Sequence, residues 1–144
     1  MLVPYPAYDK MLQMCDHLGI NVKFYKLIPE RNFEVDLEDT RSQIDETVKM
    51  MLVINPSNPC GRVMGRECLE HLATFARKHK LILFSDEIYT RLAYEEGCPF
   101  IHLADLCPEQ PVITVNGLSK VFRMPSWRVG WVLFHDPTKC LGKI

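Results

Sequence analysis

Apolar positions along the chain switch between two spacings. Tyr8, Met11, Leu12, Cys15 and Leu18 recur at intervals of three and four, the stripe of an amphipathic helix, and Gly19 is placed to end it. Asn21 to Tyr25 then alternates as a short strand. Pro29 to Asn32 reads as a loop, and Asp36 can cap a short helix reaching about Ile44. Met50 to Ile54 is apolar without interruption. Such a run, bounded by turn residues, suits a strand covered on both faces, as in parallel sheets flanked by helices. Arg66 to His79 returns to helical spacing, with Leu69, Leu72, Ala73 and Ala76 on one face, and a second buried run follows over Leu81 to Phe84. That is a β-α-β unit. Val112 to Val115 and Val129 to Phe134 add two strands, and Leu2-Val3 reads as the end of another. The order predicts a three-layer α/β/α domain, a mixed and mainly parallel sheet covered by helices.

Composition narrows the class. With 17 basic and 18 acidic side chains in 144 residues there is no cationic excess and no long run of like charge, so neither a nucleic-acid partner nor a polybasic membrane surface is expected. The 47% apolar content supports one core. No apolar run reaches the roughly 18–20 residues that cross a bilayer, and the first residues lack a signal-peptide pattern, so the expected compartment is the cytoplasm. Six cysteines without a C-x-x-C pair read as free thiols; Cys68/His71 and Cys98/His102 are each a turn apart but lack two further ligands at zinc spacing. The chain opens on a strand's last residues and stops at Lys143-Ile144 with no closing element after Asp136-Pro137. The expectation is a fragment truncated at both ends.

A parallel β-α-β unit brings successive strands to one edge of the sheet, and open α/β sheets bind ligands beyond that edge. Three polar clusters follow the strands: Asn55-Pro56-Ser57-Asn58-Pro59-Cys60-Gly61, Ser85-Asp86-Glu87-Ile88-Tyr89 and Asn116-Gly117-Leu118-Ser119-Lys120. They should converge on one crevice. Each has a plainer reading alone. The Asn/Pro run could be a rigid turn, Asp86 and Glu87 a helix cap, Lys120 a solvated ammonium, and Arg128 a guanidinium stacked on indole or paired with a carboxylate. Combined, they supply an amine for a Schiff base, a carboxylate to hold a ring nitrogen protonated and a guanidinium for phosphate. Those parts match pyridoxal 5'-phosphate.

These three clusters, with Trp127-Arg128-Val129-Gly130-Trp131, in this order and spacing, resemble the class I/II aminotransferases of fold type I over nearly the whole chain. The combination of Asn55-Pro56-Ser57-Asn58-Pro59-Cys60-Gly61, Gly117-Leu118-Ser119-Lys120 and Pro125-Ser126-Trp127-Arg128-Val129-Gly130-Trp131 is most similar to the tyrosine aminotransferase branch, with alanine-aminotransferase-like enzymes close behind. The resemblance implies that residues 1–144 are part of a pyridoxal-phosphate-binding large domain, without its N-terminal arm and C-terminal small domain. It implies that Lys120 forms the Schiff base and moves the substrate's α-proton. Asp86 would pair with the ring nitrogen, Asn58 and Tyr89 would donate to the ring's phenolic oxygen, Arg128 would meet the phosphate, and Tyr8 would stack on the ring. Tyr8 also sits on the apolar stripe, so a core role competes with stacking.

The activity implied is transfer of an amino group from an aromatic or other amino acid to a 2-oxo acid such as 2-oxoglutarate, in a homodimer. Two departures stand out. Many relatives have a phosphate-binding serine where this chain has Gly117, and the family's upstream phosphate loop and downstream carboxylate-binding arginine have no counterpart in these 144 residues. A lyase or synthase using the same cofactor residues remains open, as does an inactive module that pairs with full-length subunits.

Overall fold

A computed structural model describes residues 1–94 and 96–143. Seven strands form one sheet in the order β3-β2-β1-β4-β5-β6-β7. They are β1 (Leu2–Tyr5), β2 (Lys23–Ile28), β3 (Glu34–Val35), β4 (Met50–Ile54), β5 (Ile82–Asp86), β6 (Val112–Gly117) and β7 (Gly130–His135). Pairing is parallel from β2 through β1, β4 and β5 to β6, and antiparallel at the two edges, where β3 meets β2 and β7 meets β6. The mixed, mainly parallel sheet is therefore as the pattern predicts.

The helices are α1 (Asp9–His17), α2 (Leu37–Ser42), α3 (Arg66–Lys78) and α4 (Leu118–Val121). The α1 stripe ends as expected, with Gly19 at a φ of +67° that a glycine adopts without a Cβ penalty. Asp36 caps α2, its side chain accepting from the amides of Glu38 and Asp39. The predicted strand at 21–25 begins and ends later, at 23–28, because its alternation continues: Tyr25 and Leu27 are buried while Phe24 and Lys26 are exposed. Pro29–Arg31 forms a 3-10 turn where a loop was expected. Pro4 lies inside the interior strand β1. It has no amide hydrogen to donate, and the β1–β4 ladder registers only at Leu2↔Met51.

The unbroken apolar run of β4 serves both faces. Met51 and Val53 join Leu83, Val112, Leu2, Tyr25 and the α3 residues Leu69, Leu72, Phe75 and Ala76 in the main core. Leu52 and Ile54 point the other way, packing with Val3 against Met11 and Leu12 of α1. Tyr25 is fully buried, and its hydroxyl donates to the Leu52 carbonyl at 2.8 Å, so the core holds one satisfied polar group. The thinner α1 face is the one that carries the cleft described below. The six cysteines are free thiols. No helix among the described residues is long and apolar enough to cross a membrane. Ile144, the end of the tail read from the sequence, lies outside the described residues.

Candidate active site

The parallel register places Ile54, Asp86 and Val115 side by side at the ends of β4, β5 and β6. Alternation turns all three toward the α1 face, where they form the floor of a cleft of about 360 Å³. Tyr8, Asn58, Ile88, Tyr89, Asn116 and Lys120 complete its lining. Five of the six residues singled out from the sequence therefore share one hollow. Tyr8 immediately precedes α1 and is 41% exposed, so its ring belongs to the cleft and not to the core. Asn58 comes from the turn after β4, Tyr89 from the turn after β5, and Lys120 from α4, which follows β6 directly.

Arg128 stands apart. It is not on the cleft lining; its backbone adopts a φ of +52°, and its Nη1 donates to the Pro125 carbonyl at 2.9 Å. One guanidinium donor is thus committed locally and the others face solvent. Gly117 also stays clear of the cleft for a packing reason. A Cβ there would lie 2.9 Å from the Val129 carbonyl oxygen and 3.2 Å from the Gly130 Cα. The departure from the relatives' serine is built into the contact between β6 and β7.

The chemistry of the lining is specific. Asp86 Oδ1 accepts the Ile88 amide at 3.1 Å, and among the described residues Asp86 pairs with no side-chain cation. Burial pushes its carboxyl above the usual carboxylate range; the Ile88 amide opposes the shift and the neighbouring Glu87 charge adds to it. A desolvated carboxylate without a cation is an acceptor suited to a charged N–H. The Asn58 amide nitrogen donates to the Tyr89 hydroxyl oxygen at 3.5 Å, which leaves the hydroxyl hydrogen and the second amide hydrogen free to donate. The Lys120 amine sits 5.8 Å from the centre of the Tyr89 ring. Arg91 lies 5.2 Å over the Phe122 ring, which braces the turn bearing Tyr89 against α4. Together these groups can receive a planar ring: an acid for a protonated nitrogen, two donors for an anionic oxygen, and an amine for a carbonyl. Ile54 and Val115 were not marked by the sequence, because apolar strand residues read as core.

Comparison with known proteins agrees with this geometry. The family described as Aminotransferase class I and II matches residues 1–140. Tyrosine aminotransferase of Bos taurus is 37% identical over 142 residues, which are 99% of this chain and 32% of that protein. An S-alkyl-thiohydroximate lyase of Arabidopsis thaliana is 35% identical over 95% of this chain and 29% of its own length. Among solved structures, alanine aminotransferase from Pyrococcus furiosus superposes with a TM-score of 0.93 at 34% identity, covering 99% of this chain and 36% of that one. The chain thus spans about a third of the length of the relatives it matches. With a family match over nearly all its residues and the same fold in its structural neighbours, the chain belongs to the class I and II aminotransferases.

Proposed function

We propose that this chain is the cofactor-holding core of a pyridoxal-phosphate-dependent aminotransferase of the tyrosine aminotransferase type. The observation that supports it best is the convergence of Lys120, Asp86, Asn58 and Tyr89 on one cleft that Tyr8 borders. When bound, the cofactor supplies an electron-withdrawing ring and an aldehyde that can join to amines. Asp86 holds a protonated ring nitrogen by a charge-assisted bond, its second oxygen being free of the Ile88 amide. Asn58 and Tyr89 donate to a ring oxygen and favour its anionic form. Tyr8 presents its face to one side of the ring. Lys120 would provide the primary amine for the cofactor's aldehyde and would hold and move the substrate's α-proton. Arg128, off the cleft lining with Nη1 on the Pro125 carbonyl, would offer its other donors to the phosphate.

The donor and acceptor is an amino acid and a 2-oxo acid such as 2-oxoglutarate, and an aromatic side chain is the favoured choice because the tyrosine enzymes share these motifs. The working form is a homodimer, supported by the apolar side chains left exposed along β7. The test is to add pyridoxal 5'-phosphate to the purified chain, follow the visible band, reduce with borohydride and map the labelled peptide. The label is expected on Lys120 and absent in Lys120→Ala; a label elsewhere, or no band, overturns the cofactor assignment.

A second reading is favoured by the span of about a third of its relatives. In it the chain is an inactive module that joins longer subunits of the same family. Co-elution with an intact homologue and no turnover alone would support it, whereas turnover by the chain alone would exclude it.

A further inference from the structure

Glu87 follows Asp86 directly but turns to the opposite face of the sheet, and it is 1% exposed. Its Oε1 accepts the Ser85 hydroxyl at 2.9 Å and the Leu103 amide at 3.1 Å. Its Oε2 lies 2.6 Å from His102 Nδ1. The backbone on either side is tied as well: the Glu87 amide donates to the Val115 carbonyl, and the Asp86 carbonyl accepts the Asn55 amide, both at 3.0 Å. His102 and Leu103 end the excursion that Ile88 and Tyr89 begin, so one carboxylate fastens both ends of the segment carrying two cleft residues. Its neighbour on the strand, Ser85, is enlisted in the same bonds. Stability alone does not call for this, since an apolar side chain of similar size fills a buried site without the desolvation penalty of a charge.

We propose that Glu87 and His102 are positioning residues for Asp86: the buried Glu87 carboxylate, held from the solvent side by the exposed His102 ring, fixes the strand end from which Asp86 faces the cleft and keeps a negative charge behind it. That charge favours a cationic partner for Asp86 over the bare carboxylate, which is the state needed to hold a protonated ring nitrogen. The upward shift of the Asp86 carboxyl, to which Glu87 contributes, runs the same way. The charged and titratable groups facing Asp86 are Glu87 on its reverse side and Tyr8, Tyr89 and Lys120 around the cleft. Those in contact with Glu87 reduce to His102, with the Ser85 hydroxyl beside it. The purpose of the device rests on the cofactor reading; its geometry does not.

The first test therefore uses the full chain without cofactor, with aspartate side-chain carboxyls labelled with carbon-13 and the Asp86 signal assigned by its loss in Asp86→Asn. Glu87→Gln keeps an amide oxygen as acceptor for Ser85 and Leu103, removes the charge, and turns an amide NH2 toward His102 in place of Oε2. The Asp86 titration is expected to fall part of the way, burial, the larger cause, still holding it above the ordinary aspartate range, in a variant whose thermal midpoint is little changed. An unmoved titration in the folded variant overturns the proposal. Should Glu87→Gln not fold, the titration is read in His102→Ala, where Glu87 loses a compensating donor and the Asp86 midpoint is expected to rise; no movement overturns the proposal there too. In a second measurement, His102→Ala is expected to weaken pyridoxal phosphate binding about tenfold, the value of one hydrogen bond to a charged group. His102→Gln, whose amide still donates to Glu87, is expected to recover to within about threefold of the parent. Equal affinity in His102→Ala and parent overturns the positioning role. If the parent shows no band, the cofactor reading falls, and the carboxyl titration alone decides the role of Glu87.

Discussion

At the scale of one residue, Asp86 lines the cleft at the expense of stability. Its carboxyl is raised by burial, so as pH climbs past the ordinary carboxylate range, about 4, the unfolded chain releases this proton before the folded chain does. The folded state then carries a penalty that grows until Asp86 ionises and stays constant above that point. Asp86→Asn keeps the acceptor for the Ile88 amide and removes the penalty. Its cofactor-free thermal midpoint is expected to exceed the parent's by a few degrees at pH 7, with the gain shrinking toward pH 4. Thermal unfolding followed by circular dichroism at the two pH values checks this; a variant less stable at pH 7, or a gain that persists in acid, contradicts it. The same variant is expected to lose the cofactor band. Asp86 was legible in the sequence because a carboxylate after an apolar run is placed at a sheet edge by topology alone. That Arg128 lies off the cleft lining was not legible, since its position depends on a left-handed backbone after the Pro125–Trp127 turn, and hydrophobic spacing carries no trace of that.

At the scale of elements, β6 and β7 approach so closely at Gly117 that any side chain there meets the Val129 backbone. Backbone cannot rotate away as a flexible side chain can, so Gly117→Ser is expected to cost about 1–3 kcal/mol, the usual range for overpacking. Urea unfolding of the two proteins measures it; a loss under about 0.5 kcal/mol would show that β7 shifts freely. A serine at this position thus costs stability in this chain. The elements themselves were largely readable: Met50–Ile54 matched its strand at both ends, and α3 ended one residue before the expected His79. Long periodic or unbroken apolar runs leave few alternatives. The two-residue strand β3 escaped notice because Glu34 and Val35 form no pattern by themselves, and its existence rests on pairing with Leu27 and Ile28. The antiparallel direction of β7 was equally hidden, since a strand's own sequence does not state its orientation.

For the whole molecule, the sheet is finished unevenly. Strands β4 and β5 are covered, whereas on β7 Trp131, Val132, Leu133 and Phe134 are 40%, 48%, 59% and 68% exposed. Consecutive residues on a strand point to opposite faces, so both faces of this edge strand are apolar and open, and its outer backbone groups are unpaired by any described strand. An edge of that kind is a template for pairing with another chain. The expected consequence is concentration-dependent association of the isolated chain, read as a rise in sedimentation coefficient over the micromolar range. A charge at the middle of the edge opposes both face burial and strand addition, so Val132→Lys is expected to shift the association to at least about tenfold higher concentration while the β6–β7 ladder and the cleft remain intact. A chain that stays monomeric throughout, or a Val132→Lys variant that associates as strongly as the parent, would remove β7 as the contact and with it the structural support for the dimer. Cofactor binding separates association from the cleft: if Val132→Lys is monomeric and still takes the label on Lys120, the strand ends and turns of one chain suffice to hold the cofactor.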